Sequence, residues 1–417
     1  MAEFKNTALS AGKYFRSFYR WTLLSAITGA ICGLVGSAFH LAVAWVTEIR
    51  LGNPWLIFLL PLGGLVIAAI YHFSKTEGEG TNDIIDSIHE GQHVHILLVP
   101  VIFVATVITH LFGGSAGREG AALQIGGGIG FHVGRFLGLD DKDMRLVTLC
   151  GMSAVFAALF GTPLTATIFA LEVISVGVVY YSGFLPCLVA SVVAYGISRL
   201  FGIEPMRFAV ILERLDVLML IRTCILAIVC ALVSITFCVA MHRTEHFAAS
   251  KIKNTYLRAA VGGVIIIALT LILGTNAYNG TGTDIIESAL VSGVSPTWAF
   301  FWKIVFTAIT IGCGFKGGEI VPTFFIGACL GCVVGPLLGM PASFAAALGL
   351  VSVFCGAVNC PIASIVLSVE LFGSSELLYF ALACGISYML SGYYGLYSSQ
   401  KIMYSKTRAE FINRYAR

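Results

Sequence analysis

Apolar residues in this chain come in long unbroken blocks from Trp21 to Leu390, separated by short gaps carrying glycine, proline or charge. Blocks of that length without period-two alternation predict helices at membrane depth. A basic amphipathic lead-in over residues 1–20 precedes helices at 21–49 and 55–73. The first is long enough to cross a bilayer with tilt. Turn residues from Gly78 then open a short helix near 81–86, with Thr81 or Asn82 as N-cap. Helices resume at 96–112, 121–137, 144–160, 163–174 and 180–200. After a connector they continue at 217–241, 259–273, 298–311, 323–338, 342–358, 361–371 and 377–390. Several are shorter than the roughly 20 residues of a full span. Short apolar helices opened by Gly or Pro are the way a transporter ends helices inside the membrane. The pattern predicts an all-α polytopic membrane protein.

Composition agrees: 58% of the 417 residues are hydrophobic and 11% charged. A net charge of +3 is too small to argue for a nucleic-acid partner, and the lipid bilayer is the expected environment. Basic residues gather at both ends and around Lys251 to Arg258, which places those segments on the cytoplasmic side. The first apolar block is too long for a signal-peptide core, so it is expected to stay in the mature protein. Twelve cysteines lie mostly inside apolar blocks without zinc spacing and read as small core residues. His89, His93 and His95 match no strong ligand motif and read as a solvated loop, so no metal site is expected. No cofactor motif and no nucleophile–base arrangement accompanies the helices, which argues against an enzyme.

The chain echoes itself. Asn82-Asp-Ile-Ile-Asp-Ser87 returns as Thr283-Asp-Ile-Ile-Glu-Ser288, and Gly114-x-x-Gly-x-Glu119 returns as Gly314-x-x-Gly-x-Glu319. Val133-Gly-x-x-Leu-Gly138 returns as Val334-Gly-x-x-Leu-Gly339, and the Pro163 to Glu172 block returns as Pro361 to Glu370. Four matches in the same order, at offsets of 201, 200, 201 and 198, define two homologous halves. The expected division is a lead-in at 1–20, a first repeat at 21–203, a connector at 204–213, a second repeat at 214–395 and a cytoplasmic helix or tail at 396–417.

Repeats with interrupted helices place a substrate where the halves meet, near the bilayer midplane, with half-helix N-termini aimed at an anion. The loops at 114–120 and 314–322 should therefore converge. Arg118 and Glu119 stand in the middle of the first loop, where an ionisable residue reads as functional, although they could also simply pair with each other. Glu319 holds the matching place in the second loop; its structural alternative is a local pair with Lys316. Glu172 and Glu370, duplicated by the repeat, are expected to meet helix ends or loops rather than substrate.

At Gly117-Arg-Glu-Gly120 with Gln124, and at Gly317-Gly-Glu-Ile-Val-Pro322, the sequence resembles the CLC family of chloride channels and proton-coupled anion exchangers, over about residues 21–397. The resemblance implies a CLC-type fold with two inverted-topology repeats, a homodimer, and halide and protons as the transported species. It makes Glu119 the outer gate and proton carrier. It implies anion contacts from Arg118, Gly120, Gly318 and Ile320, with Thr81 and Asn82 in the first-half loop and Tyr397 near the C-terminus. Tyr393, Tyr394 and Tyr404 compete with Tyr397.

Three departures matter. The proline usual after the first motif is Ala121, the family's Gly-Ser-Gly-Ile-Pro is Gly80-Thr-Asn-Asp-Ile84, and Val173 stands where exchangers of chloride carry an internal proton-handling glutamate. Glu319 meanwhile occupies a usually apolar position in the anion path. An ionised carboxylate repels a neighbouring anion, so Glu319 should load a proton as the anion nears and act as a second carrier. That combination resembles the bacterial fluoride–proton antiporter branch. The expectation is proton-coupled antiport of fluoride or chloride across a bacterial plasma membrane. The alternative is a passive channel of the voltage-gated chloride type.

Overall fold

A computed structural model describes residues 2–210 and 215–417, with side chains from residue 12 onward. In chain order the helices of the first half are α1 (Ala2–Gly52), α2 (Leu60–Ser74), α3 (Thr81–Glu90), α4 (Leu98–Leu111), α5 (Glu119–Phe136), α6 (Asp141–Phe160), α7 (Pro163–Glu172) and, after strand β1 (Ser175–Val176), α8 (Phe184–Leu200). The second half holds α9 (Val217–Lys251), α10 (Thr255–Leu273), α11 (Thr283–Glu287), α12 (Ala299–Gly312), α13 (Ile320–Leu337), α14 (Ala342–Val358), α15 (Pro361–Phe372) and α16 (Leu377–Leu390). Strands β2 (Lys401–Tyr404) and β3 (Phe411–Tyr415) close the chain.

Among the described residues seven helical segments are long and apolar enough to cross a membrane, the longest being Gly12–Gly52 and Val217–Lys251. The helices α4, α7, α12, α14, α15 and α16 are apolar but shorter. Their ends therefore fall within the protein, where neighbouring elements satisfy the backbone. Each half packs around one glycine-rich helix pair, α5 on α6 and α13 on α14. A Cβ on Gly126 would collide with the Gly151 carbonyl, and one on Gly327 with the Gly349 carbonyl. Backbones this close leave no room for a side chain, so small residues set the interaxial distance.

The halves exchange bonds reciprocally. The Glu172 carboxylate, at the end of α7, accepts from the N–H groups of Ile362 (3.3 Å) and Ala363 (2.8 Å) at the start of α15. Glu370, at the end of α15, accepts from Leu164 (3.1 Å) and Thr165 (2.8 Å) at the start of α7. A carboxylate at a helix N-terminus satisfies donors that the helix itself cannot and complements the dipole. Both acids thus meet helix ends, each in the opposite half.

Four expectations need correction. The lead-in is not a separate element: α1 runs unbroken from Ala2. The N-cap of α3 is Gly80, not Thr81 or Asn82, because Asp83 at the third position accepts from the Gly80 N–H at 2.7 Å and the Thr81 hydroxyl is engaged elsewhere. A short helix at α11, continued by a π turn over Ser288–Ser292, fills what read as a gap. The last segment is not helical. Strand β2 pairs parallel to β1 and antiparallel to β3, so a small three-stranded sheet accompanies the helices. The connector at 204–213 extends beyond the described residues at its end.

Candidate anion and proton site

The two motif loops meet at the centre of the molecule. The Gly117 N–H donates to the Gly318 carbonyl at 2.7 Å and the Gly318 N–H to the Gly117 carbonyl at 2.8 Å, an antiparallel bridge between the halves. Two threonines on the preceding helices hold the loops crosswise. Thr310 of α12 accepts from the Ser115 N–H at 3.1 Å, and Thr109 of α4 accepts from the Lys316 N–H at 3.3 Å. His110 adds a third support, its Nε2 donating to the Gly117 carbonyl at 3.1 Å. The N-termini of α5 and α13 consequently start side by side.

Glu119, the first residue of α5, is fully buried. Its Oε2 accepts from the Arg118 N–H at 2.9 Å and from the Val321 N–H at 3.3 Å. The carboxylate therefore lies at the start of α13, the place in which free N–H groups and the dipole would hold a free anion. Its Oε1 has no hydrogen-bond partner, and the nearest cation, Arg118 Nε, is 3.9 Å away. Glu319, the N-cap of α13, also buries an oxygen without a partner, Oε2, close enough to Gly120 that a Cβ there would stand 3.1 Å from it. Tyr397 Oη and Gln124 Oε1 are likewise buried and unpartnered. Each such atom costs on the order of 1–3 kcal/mol unless something fills its valence. Three of the four, on Glu119, Glu319 and Gln124, are acceptors that call for protons, while the Tyr397 hydroxyl is the one that can donate to an anion.

A cavity of about 390 Å³ reaches this cluster from one face, its inner wall formed by Thr81, Asn82, Gln124, Lys316, Glu319 and Tyr397. Its mouth carries Glu77, Glu79, Glu245 and Arg258. At that mouth, outside the spans, burial raises the Glu79 carboxyl above its ordinary value. Glu119, Arg118, Gly120 and Ile320 are not part of the cavity wall.

The remaining candidates fall as follows. Gln124 Nε2 donates to Thr81 Oγ1 at 3.0 Å, and that hydroxyl lies 3.4 Å from the Gly120 carbonyl. Asn82 Oδ1 accepts from the Ser399 N–H at 3.1 Å, which leaves its NH₂ to donate. The Gly318 N–H is spent on Gly117 and is not free for an anion, and the N–H that meets the Glu119 carboxylate is that of Val321, one residue beyond Ile320. Tyr397 is buried against the cavity, whereas Tyr394 and Tyr404 are exposed and Tyr393 Oη bonds Ser405 at 3.2 Å. Lys316 makes no ion pair with Glu319 among the described residues; its Nζ lies 4.5 Å over the Tyr71 ring. Sequence reasoning missed Thr109, Thr310 and His110. The threonines were detectable, being polar residues in apolar helices at matching places in the two halves.

Two inverted halves of interrupted helices, opposed around two carboxylates and two helix N-termini, define a polytopic membrane protein. The sequence model of the family described as voltage gated chloride channel matches residues 63–392. A Pseudomonas syringae pv. tomato protein described as a chloride/fluoride channel protein is 36% identical over 93% of this chain and 87% of its own length. A solved structure of a CLC-type fluoride/proton antiporter superposes with a TM-score of 0.88 and 31% identity, covering 92% of this chain and 98% of the other. A slow cyanobacterial Cl⁻/H⁺ antiporter, at 21% identity over 89% of this chain and 94% of its own, shares the fold with a TM-score of 0.76. The chain belongs to the CLC family of voltage gated chloride channels.

Proposed function

We propose that this protein is a proton-coupled halide antiporter, with fluoride as its favoured anion, working as a homodimer in a bacterial plasma membrane. One observation carries the reading: two carboxylates from opposite halves, buried Glu119 and part-buried Glu319 on the cavity wall, each keep a buried oxygen without a partner beside paired helix N-termini. A channel needs one gate, whereas moving protons against an anion needs groups that titrate along the same path. Glu119 leaves its N–H donors when protonated and an anion takes them. Glu319 accepts the proton nearer the cavity. Fluoride is a strong hydrogen-bond acceptor, and Tyr397 Oη, the Asn82 NH₂ and protonated carboxyls can all donate to it.

Two relatives, one described as a chloride/fluoride channel protein and one as a fluoride/proton antiporter, support the same reading. They describe channels and antiporters rather than enzymes. The cavity opens beside Arg258, in the basic stretch from Lys251, and by the charge bias of loops that mouth is cytoplasmic. The family resemblance carries the homodimer.

The test is purified protein in liposomes loaded with potassium fluoride or potassium chloride, with anion efflux and proton uptake followed together under controlled voltage. Fast fluoride efflux that drives protons uphill is expected. Free passage of chloride with no proton movement would make this a passive channel instead.

A further inference from the structure

A second polar cluster lies outside the transport path, where α5 ends and the link from α3 to α4 crosses it. His93, His95, His132 and Arg135 line an open concavity, with Ile96 and Phe136 at its edge. Phe136 is 89% exposed and Ile96 62%. This is the face on which Arg20 of α1 pairs with Asp143 at the start of α6, among the basic residues that mark the cytoplasmic boundary. Imidazoles and a guanidinium at headgroup level, bordered by exposed apolar side chains, describe a surface that is wet on one side and oily on the other.

The cluster is only partly satisfied within the protein: the His132 ring meets the His95 backbone, but other donors have no partner among the described residues. Arg135 Nη1 donates to His93 Nε2, which puts the His93 proton on Nδ1. His95 Nδ1 accepts from the Leu97 N–H at 3.3 Å, which puts its proton on Nε2. His132 Nε2 is buried without a partner, its ring 6.4 Å from that of His93. Among the described residues no carboxylate lies within ion-pair distance of Arg135. The nearby Glu90 is engaged by Gln92, Lys401 and Tyr415. A helix C-terminus favours one cation for its own sake, but it calls for neither three imidazoles nor an apolar border.

We propose that this concavity binds the headgroup of an anionic phospholipid, its phosphate held by Arg135 and the imidazole N–H groups and one acyl chain lying along Phe136 and Ile96. A guanidinium matches phosphate geometry with two parallel N–H bonds. Basic pockets between membrane helices on the cytoplasmic side are where such headgroups are held.

The test is native mass spectrometry of the full-length protein, delipidated and titrated with phosphatidylglycerol, phosphatidylcholine or inorganic phosphate. Wild type should retain phosphatidylglycerol at least tenfold more tightly than phosphatidylcholine. R135Q should lose that preference while keeping its thermal midpoint in phosphatidylcholine, and F136S should weaken phosphatidylglycerol alone. Equal retention of the two lipids by wild type would overturn the proposal, as would an R135Q protein that still prefers phosphatidylglycerol. Inorganic phosphate binding as tightly as the lipid would assign the site to a free anion, and an R135Q protein that keeps the lipid but loses its dimer would assign the surface to a protein partner; either result overturns it.

Discussion

Replacing Glu119 removes the group that now occupies the start of α13. Its carboxylate takes two backbone N–H bonds there, from Arg118 at 2.9 Å and Val321 at 3.3 Å. Hydrogen bonds to a charged acceptor contribute about 1.5–3 kcal/mol each, and the longer one less than the shorter. The helix dipole adds roughly 0.3–1 kcal/mol. A free anion must displace this, so the carboxylate competes with it by about 3 kcal/mol. In E119A that competition is gone, and halide binding should tighten by about two orders of magnitude, since 1.4 kcal/mol is tenfold. E119Q should fall between, because the amide oxygen still accepts but carries no charge. Both variants should abolish proton movement, having nothing to titrate. Isothermal titration with fluoride and chloride reads the affinity, and liposome flux with a pH probe reads the coupling. An affinity within threefold of wild type in E119A, or uphill proton movement in either variant, would refute the account of Glu119 as occupant and carrier.

Three further outcomes are expected. E319Q should pass halide without protons in the liposome assay; wild-type coupling would remove Glu319 from the proton path. E172A and E370A should each lower the thermal midpoint in detergent by several degrees, having left two helix N–H groups without their charged acceptor, a loss of about 3 kcal/mol; an unchanged midpoint would mean that the exchanged caps contribute nothing. Lys406, in the C-terminal hairpin, donates to Asn359 Oδ1, the Tyr388 carbonyl and Ser391 Oγ, and burial lowers it from 10.5 to about 8. Between those values the unfolded chain binds more protons, so the stability contributed here should rise as pH climbs from about 8 toward 10. K406M should flatten that slope in a pH series of thermal melts; the same slope in the variant would rule Lys406 out as its source.

The parts of the site legible in the sequence were those written twice. Glu119 and Glu319 stand in matched loops, and the repeat alone required those loops to face one another. The long apolar blocks likewise gave the helices. Apart from the paired Thr109 and Thr310, which the repeat did mark, what escaped notice lacked a local signal. Strand β1 is two residues inside an apolar run, and β2 and β3 exist only because they pair with it and with each other. The alternative Lys316–Glu319 pair assumed helical spacing, but α13 begins at Ile320, so the loop is free to turn Lys316 onto Tyr71. Gly318 was read as an anion donor from its place in the motif, when the opposite loop had already claimed its N–H.

The bonds exchanged between the halves bear on how such a chain came to exist. Gly117 with Gly318, Thr109 with Thr310, and Glu172 with Glu370 each complete a helix start or a loop in the opposite half. A polypeptide of half this length would have been left with unfilled donors at the very places where it most needed order. It would have found them filled by a second copy of itself inserted upside down. The contacts of the fused chain are thus those that two separate, oppositely oriented halves would also make, and fusion alone lets the two glutamates be different residues.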